Sequence, residues 1–289
     1  MNVATKLDPL VIGAVLAAAL IHATWNALVK SDNSDRLVTL AVVMSVGSVI
    51  GLFFAPFVAI PKAEAWPWLI SSVIIHCFYY YFLLQAYAHG DLSFVYPIAR
   101  GLGPLLVAVF SGALLSEHLS VREAVGVLLV SVGLAGVAFG RGLPRGLDTR
   151  AAVFAALTGV TIAGYTVTDG IGARTSEDPL AYIVWLNIME GPWVLLVALG
   201  LRGWGVVRHL RVHWWRGAAG GTLATFGYGI AIWALSLGSM AHVAAIRETS
   251  VLFAALMGTF ILRESLGRRR IVAAVFVVIG LLTMNLRFG

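Results

Sequence analysis

The chain has 289 residues, 60% of them hydrophobic and 12% charged, with a formal net charge of +6. Soluble domains carry about 25% charged residues, so so apolar a chain is not an ordinary water-soluble fold. Its basic residues are spread over short connections, which points away from a nucleic-acid surface, and the single cysteine, Cys77, excludes a disulfide framework.

The apolar runs, in chain order, are Leu10–Val29, Leu37–Ala59, Trp68–Ala88, Leu92–Leu115, Leu119–Phe139, Ala151–Thr168, Pro179–Leu201, Gly217–Leu237, Ala241–Leu262 and Ile271–Leu286. A helix needs about 20 residues to cross the hydrocarbon of a bilayer, and these runs are apolar all round rather than striped. They predict an all-α integral membrane protein with about ten transmembrane helices. The first run continues to Val29 without a cleavage signal and is read as a retained helix, not a leader. Pro97 and Pro104 bracket Arg100 in the fourth run and predict an interrupted helix lining a wet site.

The two halves of the chain match. Phe78, Tyr80, Ala86, Gly90, Val95 and Ile98 recur as Phe226, Tyr228, Ala234, Gly238, Val243 and Ile246, a constant offset (226 − 78). One residue is lost beside the arginine, and then Arg100, Glu117, Leu119 and Gly133 recur as Arg247, Glu264, Leu266 and Gly280. Five passes per half is an odd number, so the second half enters from the opposite face. The expected architecture is two five-helix inverted repeats, 1–145 and 146–289, with a site near the midplane between them, a recurring plan of secondary transporters.

The "SEHLS" and "RESLG" hinges, with "HATWNALVK", "GDLSFVYPIARG" and "RETSVLFAALMG", resemble the EamA-type members of the drug/metabolite transporter superfamily, in particular a bacterial subgroup. The resemblance covers nearly the whole chain. It implies a ten-helix carrier in the cell (inner) membrane that uses no ATP and moves amino acids, other metabolites, sugar derivatives or organic cations.

Ionisable groups inside spans are functional candidates because they are expensive there. Arg100 sits about 10 Å into its span, within snorkelling reach of the interface, but a cation near a helix N-terminus opposes the dipole. Arg247 and Glu248 are its counterpart. Neighbours in sequence point different ways on a helix, so Glu248 is expected to meet Arg100 and Arg247 to meet Glu190 or Asp169. Glu190 lies at mid-span and fits a proton carrier or the counter-charge of a cationic substrate. Asp169 precedes "GIGAR" and reads as a helix end.

His22, Trp25 and Asn26 share one helix face; His76, Tyr80, Tyr96, Tyr165, Tyr228 and Trp233 add aromatic groups with polar tips. Such groups suit a cavity for amino or cationic ligands, and equally an interfacial belt or helix–helix hydrogen bonding. Glu117 and Glu264 are expected to cap helices or fix the hinges. No metal site or cofactor is expected from these spacings, and no catalytic motif marks the chain as an enzyme.

Thirteen of the 20 Lys and Arg residues fall in the odd-numbered connections and five on the face of the termini, the remaining two being Arg100 and Arg247. The positive-inside rule then predicts external termini, whereas the resemblance implies cytoplasmic ones. The leading functional expectation is a secondary transporter of a small polar or zwitterionic metabolite, an amino acid or amine, by export or exchange. Coupling to protons or a counter-substrate is compatible with the sequence. The competing expectations are a flippase subunit for lipid-linked substrates, an intramembrane enzyme and a structural subunit. The expected partners are the lipid bilayer and a small-molecule substrate, with no nucleic acid.

Overall fold

A computed structural model describes residues 7–30, 35–139, 149–260 and 268–285. Among these residues every regular element is helical: α1 (Pro9–Lys30), α2 (Arg36–Phe54), α3 (Trp66–His89), α4 (Leu92–Leu115), α5 (Val121–Phe139), α6 (Thr149–Thr175), α7 (Pro179–Arg202), α8 (Gly205–Leu237), α9 (Met240–Arg247), α10 (Ser250–Phe260) and α11 (Arg268–Asn285). Eight of the helices are long and apolar enough to cross a bilayer, and Ile271–Asn285 adds a shorter apolar stretch. α9 and α10, end to end, occupy the ninth expected pass. The protein is an all-α membrane protein.

Side-chain caps set several helix starts. The Asp35 carboxylate accepts from the amides of Leu37 (2.9 Å) and Val38 (3.4 Å), and that of Asp178 from Leu180 (3.0 Å) and Ala181 (3.2 Å). Partial burial alone would raise Asp35, but the Arg202 guanidinium and the two capping amides hold its carboxyl below the ordinary aspartate range. α5 opens with a reciprocal capping box, Ser120 N–H to Glu123 Oε2 at 2.7 Å and Glu123 N–H to Ser120 Oγ at 3.3 Å. α2 gives way to a short 3₁₀ turn, Ala55–Phe57, at Pro56.

Three expectations about the helices need correction. α4 runs unbroken through Pro97 and Pro104, so the prolines remove donors without interrupting the helix. The break lies instead in the ninth pass, where Glu248 and Thr249 bond back to Ala245 (3.2 Å) and Ile246 (3.0 Å), an i→i−3 pattern tighter than an α-helix. Third, α6 continues past Asp169 to Thr175. Its "GIGA" segment packs instead of stopping, since a Cβ at Gly172 would lie 2.6 Å from the Tyr182 hydroxyl.

The packing shows how the repeats meet. α2 lies against α7 and α5 against α11, while α3 packs on α6 and α1 on α8. Counted by pass within each half, second meets second, fifth meets fifth, and first meets third in both directions. That reciprocity is two-fold pseudosymmetry, and an odd number of passes per half turns the copies over in the membrane. The fifth passes cross at Gly126 and Gly280, where a Cβ on either would lie 2.6 Å from the other's carbonyl oxygen. Large side chains such as Phe53 (68% exposed) and Leu114 (68% exposed) point outward, where the hydrocarbon of a bilayer removes the penalty that water would impose.

Candidate functional site

Polar side chains from both halves converge between the repeats. Arg100 on α4 donates from Nε to Glu248 Oε2 at 2.9 Å and from Nη2 to Ser250 Oγ at 3.1 Å. Both charged groups are buried, at 7% and 4% exposure. A buried ion pair is tolerated when its remaining donors are also satisfied, and Ser250 contributes one such partner. This is the cross-repeat pairing expected from the sequence. Tyr96, one turn before Arg100, has its ring centroid 6.0 Å from the guanidinium.

Arg247 does not reach Glu190 or Asp169 directly. Its guanidinium lies 5.2 Å from the centroid of Tyr228, a cation–π distance, and the Tyr228 hydroxyl donates to Asp169 Oδ2. Among the described residues no carboxylate lies within ion-pair distance of Arg247, and that of its neighbour Glu248 is engaged by Arg100. Asp169 is fully buried and also accepts from the Tyr182 hydroxyl at 3.0 Å. It is therefore a second carboxylate of the central region, not a helix end. Its position one turn after Tyr165, on the same face of α6, was the available signal in the sequence.

Glu190 on α7 accepts from the Tyr80 hydroxyl. His76 on α3 stacks on Tyr165 with centroids 4.2 Å apart, and its Nε2 lies 4.0 Å from Glu190 Oε1. The His76 Nδ1 is 3.0 Å from the Ser72 carbonyl oxygen. The Ser72 hydroxyl lies 3.2 Å from the same nitrogen, so Ser72 orients the ring and turns Nε2 toward the carboxylate. Ser72 and Tyr182, which the sequence did not single out, thus support both acidic positions.

Small Ala18, Ala19 and Gly227 leave a cavity of about 20 Å³ bounded by His22, Arg100, Tyr228 and Arg247, room for about one water molecule. Its walls are α1, α4, α8 and α9, two from each repeat. His22 faces it, its Nδ1 accepting from Trp25 Nε1 at 3.3 Å, while Asn26 Nδ2 donates to the His22 carbonyl at 2.7 Å. Trp25 and Asn26 therefore position the His22 end of α1. Trp233 packs beside an apolar cluster containing Leu235, Val243 and Ile246, which places it outside this polar region.

Glu117 caps a helix as expected, but across the repeats. It accepts from the Met240 amide at 3.1 Å, the start of α9, and pairs with Arg174 at 2.9 Å. Glu264 lies outside the described residues.

The family model for the EamA-like transporter family matches residues 9–139 and again 149–286. No curated protein matches the chain. One solved crystal structure is similar over 95% of this chain and 96% of its own, with a TM-score of 0.74 at 16% identity; at that identity the likeness speaks for the fold alone. With two matches that together span most of its length, the chain belongs to the EamA-like transporter family and is a membrane transporter of the drug/metabolite transporter superfamily.

Proposed function

We propose that the protein is a secondary transporter of the cell (inner) membrane that moves a small polar or zwitterionic metabolite, an amino acid or an amine, by export or exchange. The repeats 1–145 and 146–289 are the two bodies that rock about the central polar region. The observation that carries this reading is the cavity shared by both repeats, with Arg247 half-buried and, among the described residues, no carboxylate within ion-pair distance of it. A cation held there over the Tyr228 ring offers a negative group a partner, while Asp169 and Glu190 lie beyond the tyrosines as counter-charges for an ammonium. A space for one water does not admit a metabolite, which accords with an occluded carrier that opens to load.

The Glu190–His76 contact supports proton coupling as a second element of the reading. Glu190 is the mid-span carboxylate there, bonded by the Tyr80 hydroxyl, with His76 Nε2 4.0 Å away.

A thermal-shift screen of detergent-purified protein against amino acids, amines, polyamines and phosphonates tests this function, because a ligand that binds only the folded state raises its melting temperature by mass action. A zwitterion that stabilises the wild type and not Arg247→Gln is the expected result. Absence of any stabilising compound in all four classes counts against it.

A further inference from the structure

A second titratable cluster lies apart from the central region, where the α4–α5 connection meets the start of α9. His242, in the first turn of α9, is 3% exposed, and its Nε2 lies 3.6 Å from Glu123 Oε1 on α5. Among the described residues its Nδ1 has no hydrogen-bond partner, and neither has the hydroxyl of Ser239, the residue that precedes α9. Beside them Glu117 takes the Met240 amide on one oxygen and Arg174 on the other. Arg174 in turn donates to the carbonyls of Leu235 (3.0 Å) and Gly238 (2.7 Å). Residues of the first repeat thus grip the α8–α9 corner of the second.

That corner is the near end of a lever. α9 has 8 residues, about 12 Å of helix, and Arg247 and Glu248 stand at its far end. The clusters that seat α9 against α1, α8 and α11 are apolar, built from residues such as Val11, Leu235 and Val277. Among the described residues, the charged groups around His242 are Glu123 from α5 and Glu117 from the α4–α5 connection, with Arg174 of α6 on the far side of Glu117. The α4–α5, α6–α7 and α8–α9 connections all lie on the face of the termini, so the grip is on that side of the molecule.

We propose that His242 and Glu123 form a proton site that latches α9 and closes the path from the central region to the face of the termini. A proton taken from that aqueous phase onto His242 Nε2 turns a neutral ring beside a carboxylate into an ion pair. The pair draws the start of α9 against α5, and deprotonation loosens it. Oε2 of Glu123 stays committed to the Ser120 amide, so only Oε1 serves the latch. This rests on the alternating-access reading of the central region, but its test needs no substrate.

The test uses a Cys77→Ser background carrying Ala18→Cys, a reporter in the cavity wall, in proteoliposomes sorted by a C-terminal tag so that the termini face outward. Labelling by a membrane-impermeant maleimide, corrected for the reagent's own pH dependence on a free thiol, is expected to be about fivefold slower near pH 5 than near pH 8, a range wide enough to include a buried histidine. Glu123→Gln keeps the capping box, since glutamine also serves at that position, and is expected to label at the faster rate at both pH values. His242→Gln is expected to do the same, and Glu123→Asp to retain the pH dependence. Equal wild-type rates at both pH values, or an undiminished pH dependence in folded Glu123→Gln, would overturn the latch. Failure of every metabolite to stabilise the protein would sink the carrier reading and leave this labelling result standing.

Discussion

The fourth passes of the two repeats descend from one pattern and have come apart. α4 carries Pro97 and Pro104 and stays a single helix of 24 residues; its counterpart has no proline and breaks between Arg247 and Ser250 into α9 and α10. Proline alone is therefore not what bends a pass in this molecule. The break coincides with Glu248, which turns to Arg100 of the other repeat, and with Thr249, whose hydroxyl donates to the Ile246 carbonyl at 2.8 Å. That hydroxyl and the two i→i−3 amides take up carbonyls that a straight helix would satisfy four residues on. A buried charge in search of a partner, and local groups able to accept the loosened turn, explain the difference between the copies.

The comparison is broken most severely by unpairing the buried charges. Arg100→Leu leaves Glu248 buried and uncompensated, and is expected to destabilise the folded protein by about 3–5 kcal/mol, read as a large drop in melting temperature in detergent. Arg100→Leu with Glu248→Leu is expected to recover most of that loss while leaving transport impaired. A double variant no more stable than the single would mean that the pair does not hold α9 in place.

A smaller effect sharpens the account of the break. Thr249→Val removes the hydroxyl bond to Ile246 and preserves shape, with an expected loss of about 1 kcal/mol in an unfolding titration. Pro104→Ala is expected to change stability by less than about 1 kcal/mol, because α4 is already continuous and only one donor is restored. A large destabilisation there would show that the proline shapes the pass after all. Smallest is Arg247→Gln, expected to leave the melting temperature within about 2 °C of the wild type, since no carboxylate lies within ion-pair distance of that guanidinium among the described residues and Glu248 keeps Arg100.

The spans were legible because hydrocarbon imposes one rule on every pass, and the repeat was legible because Arg100, Glu117 and Gly133 recur in register. The Arg100–Glu248 contact followed from the same register. The break in the ninth pass was not, since "IRETSV" contains neither proline nor glycine and its cause lies on α4, far away in sequence. Asp169 was misread for the converse reason. Gly170 and Gly172 look like a helix stop, yet they admit Met240 and Tyr182 to the backbone of α6, and the helix carries Asp169 into the interior. Trp233 had the composition of a site residue, but only packing shows that its side of α8 meets apolar neighbours. Glu117 read as a local cap; its true partners, Met240 and Arg174, belong to the other repeat.

Counterflow in proteoliposomes tests the central claim most directly. Vesicles preloaded with an unlabelled zwitterion, taken from those that stabilise the purified protein, are diluted into its radiolabelled form. The account predicts saturable accumulation by the wild type and at least a tenfold loss, about 1.4 kcal/mol or more, in Arg247→Gln of unchanged melting temperature. No counterflow by the wild type, or full counterflow by Arg247→Gln, would contradict it.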